Sequence, residues 1–238
     1  MQKRLVKLKK RRAKKKKNAK NEKLFSSQDY FVETKKTVAE EINREPADAL
    51  QVKIECLSTP YPAWRRVLLP GNISLNYFVH VLIAAMGWDN NHLSSISIGG
   101  TEYLTSGYGV DFSSYTILPH TKNLDATQYT AIDELKKSNE IFMNYDFGDC
   151  WEHKITVEKI LPAERVQDTE LFTCLDGAGA CPPDDCGGSD GVENIVYLME
   201  HPDENKEEYD DIMTWLGEQF DKSKFSKDEV TLRLRDFA

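Results

Sequence analysis

Long hydrophobic runs are missing from this sequence of 238 residues. The longest apolar-rich stretch, residues 78–86, includes His80 and is far shorter than the roughly 18 apolar residues of a membrane-spanning helix. The N-terminus is charged from Lys3 onward, so it lacks the apolar centre of a secretory signal. We therefore expect a soluble, cytoplasmic protein with no membrane partner.

Cysteine is scarce and odd in number, with five residues in the whole chain. A disulfide framework does not fit a chain of this length that shows no export signal. We therefore expect the cysteine thiols to be reduced. The one cofactor that reduced thiols suggest here is zinc, as their ligand.

Acidic residues are almost absent from the first 23 positions. Residues 1–23 hold 13 of the 31 lysines and arginines and one of the 39 acidic residues, a net charge of +12, which leaves −20 on the remainder. The densest block is Lys14, Lys15, Lys16 and Lys17. We predict a disordered basic tail that either contacts DNA or RNA through counterion release or serves only as a solubilising extension.

Hydrophobic alternation predicts several strands in a domain over residues 50–238, after a linker over residues 24–49 that holds at most a short helix. The alternating segments are residues 52–56, 64–69, 93–98, 115–118, 140–145 and 152–160.

Helical spacing predicts an early helix from Leu75 to Met86, with Ser74 as its N-cap and Gly87 at its end. Three further helices are predicted near residues 191–200, 205–216 and 226–235. Because the strands come first and the helices cluster late, we predict an α+β fold. It would be a single compact domain with a mixed or antiparallel sheet.

Four ordered segments carry a resemblance to a known family. They are residues 62–67 (PAWRRV), 84–92 (AAMGWDNNH), 145–153 (YDFGDCWEH) and 174–188 (CLDGAGACPPDDCGG). In these the chain resembles the plasmid pRiA4b third-open-reading-frame-like family, also called insertion-element passenger or TnpR-like proteins. The resemblance covers about residues 50–235. It implies a compact α+β domain associated with plasmids or mobile elements, without implying a particular activity.

The chain departs from the family pattern in two places. Cys150 stands where the family usually has glycine, and Ser94 and Ser95 replace a histidine-rich continuation after His92. The TnpR-like label suggests a recombination context, but the sequence has no resolvase-like serine motif.

Three cysteines in the last segment are candidate zinc ligands. Cys174, Cys181 and Cys186 lie among glycines and prolines that would let a loop wrap around an ion, with His92 or His153 as a fourth ligand. The alternative is that the thiols are small buried apolar groups.

The segment around Trp151 offers a candidate catalytic pair. His153 could act as a general base beside Asp149, with Trp151 as a pocket wall. The alternative is a hairpin whose turn uses Asp149 for backbone hydrogen bonds and whose Trp151 is half-buried.

Trp64, Arg65 and Arg66, together with Trp151, are candidate ligand- or anion-binding residues. On a strand the two arginines point to opposite faces. Either one could bind an anion or form a structural ion pair with a carboxylate such as Asp149.

No complete catalytic motif is present, so the sequence favours a binding or interaction module over an enzyme. In that hypothesis the basic tail tethers the body to nucleic acid. The alternatives are a metal-assisted or hydrolytic enzyme that uses Asp149, His153 and the cysteine region, and a zinc-stabilised structural domain.

Overall fold

The computed structural model describes residues 47–105, 123–166, 170–217 and 220–238. The predicted basic tail lies outside the described residues, as do most of the predicted linker and the predicted strand at residues 115–118. The first described strand begins at Ala49, one residue before the predicted start of the domain.

In the part of the chain that the structure describes, eight strands form one sheet. They are β1 (Ala49–Cys56), β2 (Ala63–Pro70), β3 (Ser94–Ile98), β4 (Thr101–Leu104), β5 (Leu124–Asp125), β6 (Ile141–Tyr145), β7 (Trp151–Leu161) and β8 (Thr173–Ala178). Their order is β5-β4-β3-β6-β7-β1-β2-β8, and every neighbouring pair is antiparallel except β4 and β5. The predicted α+β class with a mixed, mostly antiparallel sheet is confirmed.

The central strand β1 shows how alternation orients the sheet. Val52, Ile54 and Cys56 are buried, whereas the intervening Lys53 and Glu55 are partly exposed. Successive side chains of a strand point to opposite faces, so one face of the sheet carries the core and the other faces solvent.

Five helices accompany the sheet within the described ranges: α1 (Leu75–Met86), α2 (Ala131–Leu135), α3 (Gly188–Glu200), α4 (Lys206–Leu216) and α5 (Lys227–Arg235). Short 3₁₀ turns cover Ala126–Gln128 and Ala163–Arg165. The predicted early helix and C-terminal helical cluster are both present. No helix among the described residues is long and apolar enough to cross a bilayer.

Helix α1 begins and ends where the sequence predicts. The Ser74 hydroxyl accepts a hydrogen bond from the Tyr77 N–H at 3.2 Å, and Gly87, with φ +132°, donates to the Ile83 carbonyl. All twelve residues of the helix are buried, because α5 and the C-terminal Phe237 pack over it. His80 is therefore buried as well, with its Nδ1 2.9 Å from Asn90 Oδ1.

Candidate functional site

The four motif segments meet at one place in the fold. The Trp88 indole, just after α1, donates a hydrogen bond to the Pro182 carbonyl at 3.0 Å. Its ring packs against Tyr145 and Trp151, with centroid distances of 5.0 and 5.7 Å. Arg65 links the first motif to the fourth, because its guanidinium donates a hydrogen bond to the Ala178 carbonyl at 2.9 Å.

His92 lies at this junction between three carboxylates. Its Nδ1 is 3.3 Å from Asp146 Oδ2, and its Nε2 is 3.5 Å from Asp184 Oδ2 and 4.0 Å from Asp185 Oδ1. One donor atom from each of His92, Asp146 and Asp185 lies within 4.8 Å of the others. The four residues come from three different motifs, so tertiary structure alone assembles the cluster.

The backbone around Asp146 fixes that carboxylate. Its N–H donates to the Leu93 carbonyl at 2.9 Å, which ties the β6–β7 turn to the His92 segment. Its Oδ1 accepts from the Gly148 N–H at 2.8 Å, an Asx-type turn. Asp146 and Asp185 both have a left-handed backbone, with φ of +56° and +58°. Aspartate and asparagine tolerate this conformation better than most residues.

Asp149 joins the β6–β7 turn to the start of α3. Its carboxylate accepts a hydrogen bond from the Gly187 N–H at 3.0 Å. At the next residue, Gly188, a Cβ would lie 2.5 Å from the Asp149 carbonyl oxygen, and φ is +73°. Glycine is therefore required for this close approach. Burial raises the pKa of Asp149, although the hydrogen bonds from Gly187 and Gly188 act in the opposite direction.

The cluster carries an excess of negative charge. Among the described residues, His92 is the only cationic group that forms an ion pair with Asp146, Asp184 or Asp185. Hydrogen bonding to Asp184 raises the pKa of His92, and the charges of Asp146 and Asp185 raise it further. Burial lowers this pKa, but by less than the carboxylates raise it. Asp184 Oδ1 is buried, and no described residue hydrogen-bonds to it. One imidazole thus cannot balance the three carboxylates.

The predicted catalytic residues are not brought together. His153 is fully buried on β7, and its ring meets Trp88 edge-on at 5.3 Å. Burial lowers the pKa of His153 to about 4, so the ring is neutral near pH 7. The backbone of Trp151 and Met143 lies close enough to oppose this shift, but neither ring nitrogen has a well-aligned hydrogen bond. Asp149 bonds to Gly187 instead, and Trp151 is a core residue that is 0% exposed.

The three predicted zinc ligands do not form a ligand set. Cys174 is buried on β8, where its thiol contacts the Asp176 carbonyl, whereas Cys181 and Cys186 lie in the following loop. The three sulfurs do not lie within 4.8 Å of one another. Burial raises the pKa of each thiol, to about 12 for Cys186, which favours the protonated form over the thiolate that binds metal.

The two arginines of β2 behave differently. Arg66 faces solvent and holds Glu158 through two hydrogen bonds, of 2.6 and 2.9 Å, with a further bond of 3.1 Å to Asp176. It forms structural ion pairs, but with Glu158 and Asp176 and not with Asp149. Trp64 packs against the Arg66 guanidinium at 5.1 Å. Arg65 is 3% exposed and forms no ion pair among the described residues.

Sequence reasoning does not identify the carboxylates around His92 as a site. It places Asp149 on the turn before Trp151, and it offers none of Asp146, Asp184 and Asp185 as a ligand. The available signal is their position inside the motif segments that carry the family resemblance.

Comparisons with known proteins agree with the motif pattern. The family model described as plasmid pRiA4b ORF-3-like protein matches residues 48–229. Uncharacterized protein y4hQ of Sinorhizobium fredii is 30% identical over 155 residues, which are 64% of this chain and 73% of that protein. The crystal structure of MM3350, a protein of unknown function from Methanosarcina mazei Go1, has a TM-score of 0.63 and 26% identity, over 76% of this chain and 96% of that chain. This chain belongs to the plasmid pRiA4b ORF-3-like family.

Proposed function

We propose that the folded body is a binding module for a divalent metal ion, held by His92, Asp184 and Asp185 and oriented by Asp146. The donor atoms that already lie within 4.8 Å of one another are those of His92, Asp146 and Asp185, so the Asp184 carboxylate would shift towards the ion on binding. The observation that carries the proposal is the convergence of three carboxylates on one imidazole, with no lysine or arginine paired to them among the described residues. A divalent cation would neutralise this charge and would use the unpartnered oxygen of Asp184.

The donor set indicates which ions to test. Imidazole nitrogen suits zinc, iron, copper and nickel, whereas carboxylate oxygen suits manganese, magnesium and calcium. A mixed set of one nitrogen and several carboxylate oxygens points to Mn²⁺, Fe²⁺ or Zn²⁺.

The two nitrogens of His92 have different roles in this proposal. Nε2 faces Asp184 and Asp185 and would bind the ion together with their oxygens. Nδ1 faces Asp146, which would accept its proton and so fix the tautomer and orientation of the ring. A carboxylate that holds the second nitrogen of a metal-binding histidine is a common supporting partner. Metal binding would then compete with protonation of His92.

Equilibrium dialysis against Mn²⁺ and against Zn²⁺ tests the proposal. The full chain should retain a single ion, and His92→Gln should retain none at the same free concentration. Asp211→Asn is a matched control, because it removes a carboxylate from an exposed position on α4. Equal retention by the full chain and His92→Gln would contradict the proposal.

We also propose that residues 1–23 tether the body to nucleic acid. Support comes from the charge of +12 on this arm, against −20 on the rest of the chain. The arm would bind a polyanion electrostatically while the body is repelled by it. The matching family is described after a plasmid protein, which makes DNA the first polyanion to test.

A salt titration of DNA binding tests the tether. Replacing Lys14, Lys15, Lys16 and Lys17 by glutamine should weaken binding. The slope of log K against log salt should fall by about 0.9 for each phosphate that the variant no longer neutralises. Unchanged affinity and slope in this variant would show that the lysine block is not the tether.

A further inference from the structure

Adjacent arginines on β2 provide an internal comparison of guanidinium pairing. Arg66 uses the edge formed by its Nε and Nη2 atoms to bind both carboxylate oxygens of Glu158. This two-bond geometry is the strongest way in which a guanidinium recognises a carboxylate. On Arg65 the same edge has no carboxylate.

The guanidinium of Arg65 is only partly satisfied. Its Nη1 donates to the carbonyls of Trp64 and Ala178 at 2.8 and 2.9 Å, and its Nη2 donates to the Met86 carbonyl at 3.3 Å. Its Nε has no hydrogen-bond partner among the residues that the structure describes. The ring of Phe225 lies 4.9 Å from the guanidinium carbon, a cation–π contact. A buried cation is normally paired with an anion, and none of the described residues supplies one to Arg65.

A cavity of about 370 Å³ lies beside Arg65. It is bounded by the end of α1, the segment 180–184 and the start of α5, and its volume falls in the range of small-molecule sites. Its apolar wall includes Met86, Trp88, Pro182, Phe220, Phe225 and Val230.

The mouth of the cavity carries charges of both signs. Lys224 and Arg233 are the basic residues, and Asp89, Asp184, Asp221 and Glu229 are the acidic ones. Arg233 is paired with Asp89 at 3.7 Å, and Asp184 with His92. The mouth therefore gives no strong preference for anions, and selectivity for a carboxylate has to come from Arg65.

We propose that this cavity binds a small carboxylic acid with an apolar or aromatic body, whose carboxylate pairs with the Nε–Nη2 edge of Arg65 as Glu158 pairs with Arg66. The Nε atom is covered, so the guanidinium turns this edge towards the cavity and gives up its bond to Met86, the longest of the three. The apolar body then lies against the aromatic wall.

This site goes beyond the proposed metal function, although the two adjoin through Asp184, which lines the cavity and also faces His92. Binding to Arg65 requires no metal. The assays below are therefore done in EDTA and repeated with Asp146→Asn, so that failure of the metal site does not affect their outcome.

Phenylacetate is the probe, and phenylacetamide is its neutral counterpart of nearly equal shape. Titration of the full chain, followed by the ¹⁵N-edited NMR signal of the Arg65 Nε–H, should show a saturable shift with phenylacetate. The amide should bind at least about tenfold more weakly, because it cannot supply two anionic oxygens. Equal affinity for the two probes, or no saturable shift with either, would overturn the proposal and leave water as the partner of Arg65.

Two variants locate the binding. Arg65→Gln should abolish the preference for phenylacetate, but it also removes hydrogen bonds that support the fold. Glu229→Trp places a large ring at the mouth of the cavity from an exposed position on α5, so it blocks entry without altering the core. Glu207→Trp on exposed α4 is its control. Phenylacetate binding that survives in Glu229→Trp would place the ligand elsewhere and overturn the assignment.

Discussion

Replacing Asp146 by asparagine separates the charge of this residue from its structural role. Asparagine tolerates the left-handed backbone at φ +56°, and its side-chain oxygen can still accept the hydrogen bond from the Gly148 N–H. The turn between β6 and β7 is therefore preserved. What is lost is the carboxylate 3.3 Å from the Nδ1 of His92.

The expected effect on the metal-free protein is small. The variant loses an ion pair with His92 but gains relief from repulsion by the neighbouring Asp184 and Asp185. The two side chains are only 17% and 10% exposed, so the lost pair is worth about 1–3 kcal/mol, more than a surface ion pair. Because the relief of repulsion offsets most of this loss, the free energy of unfolding in EDTA should change by less than about 1 kcal/mol.

The expected effect on the metal-bound protein is larger. Loss of the group that orients a ligating histidine typically costs about 10–100-fold in metal affinity. At a metal concentration about 100 times the dissociation constant of the original protein, binding stabilises that protein by about 2.7 kcal/mol. At the same concentration the variant would be stabilised by only about 0.4–1.4 kcal/mol.

Urea denaturation of both proteins, with Mn²⁺ and with EDTA, measures this difference. A variant that Mn²⁺ stabilises as much as the original chain would refute the role of Asp146 in orienting His92. A variant destabilised equally in Mn²⁺ and EDTA would show that the carboxylate supports only the turn.

Three further predictions concern the fold around the site. In EDTA, the raised pKa of His92 should stabilise the fold below pH 6.5. This contribution to the free energy of unfolding should be lost as the pH rises through the folded-state pKa. Urea denaturation at several pH values should show that His92→Gln lacks it. His153 should have the opposite effect, because burial lowers its pKa to about 4. As the pH falls from 6.5 to 4, the free energy of unfolding should decrease by about 3 kcal/mol. His153→Leu should remove this acid sensitivity. Gly188→Ala should destabilise the chain by about 1–3 kcal/mol more than Gly217→Ala. Both glycines have a positive φ, but of the two only Gly188 would place its Cβ against backbone, namely the carbonyl oxygen of Asp149. Thermal or chemical denaturation of the two alanine variants gives the comparison, and equal losses would count against steric crowding at Gly188.

Local sequence signals predicted the elements whose determinants are local. Ser74 and Gly87 mark both ends of α1, since an N-cap hydroxyl and a positive-φ glycine act within one turn. Alternation at Val52 and Ile54 similarly located β1.

Strand β8 was missed because its residues favour a loop. Thr173–Ala178 contains Asp176 and Gly177, which are both disfavoured in strands. Pairing with β2 overrides this propensity, and Gly177 fits because a Cβ there would lie 2.5 Å from the Phe225 ring. The glycine that suggested a loop is thus explained by close packing, which a single sequence does not reveal.

The candidate site was missed for a related reason. His92, Asp146 and the pair Asp184 and Asp185 are far apart in the sequence, and only the fold brings them together. The predicted base, His153, shares a strand face with Trp151. A buried tryptophan two residues away already implies that the histidine faces the core.

Electron spin-echo measurements on bound Mn²⁺ test the central claim most directly. If the ion is held by His92, the spectrum of the full chain should show modulation from a directly bound imidazole nitrogen. That modulation should be absent in His92→Gln and retained in Asp211→Asn. Bound Mn²⁺ without nitrogen modulation, or with modulation that persists in His92→Gln, would contradict a metal centre at the junction of the four motifs.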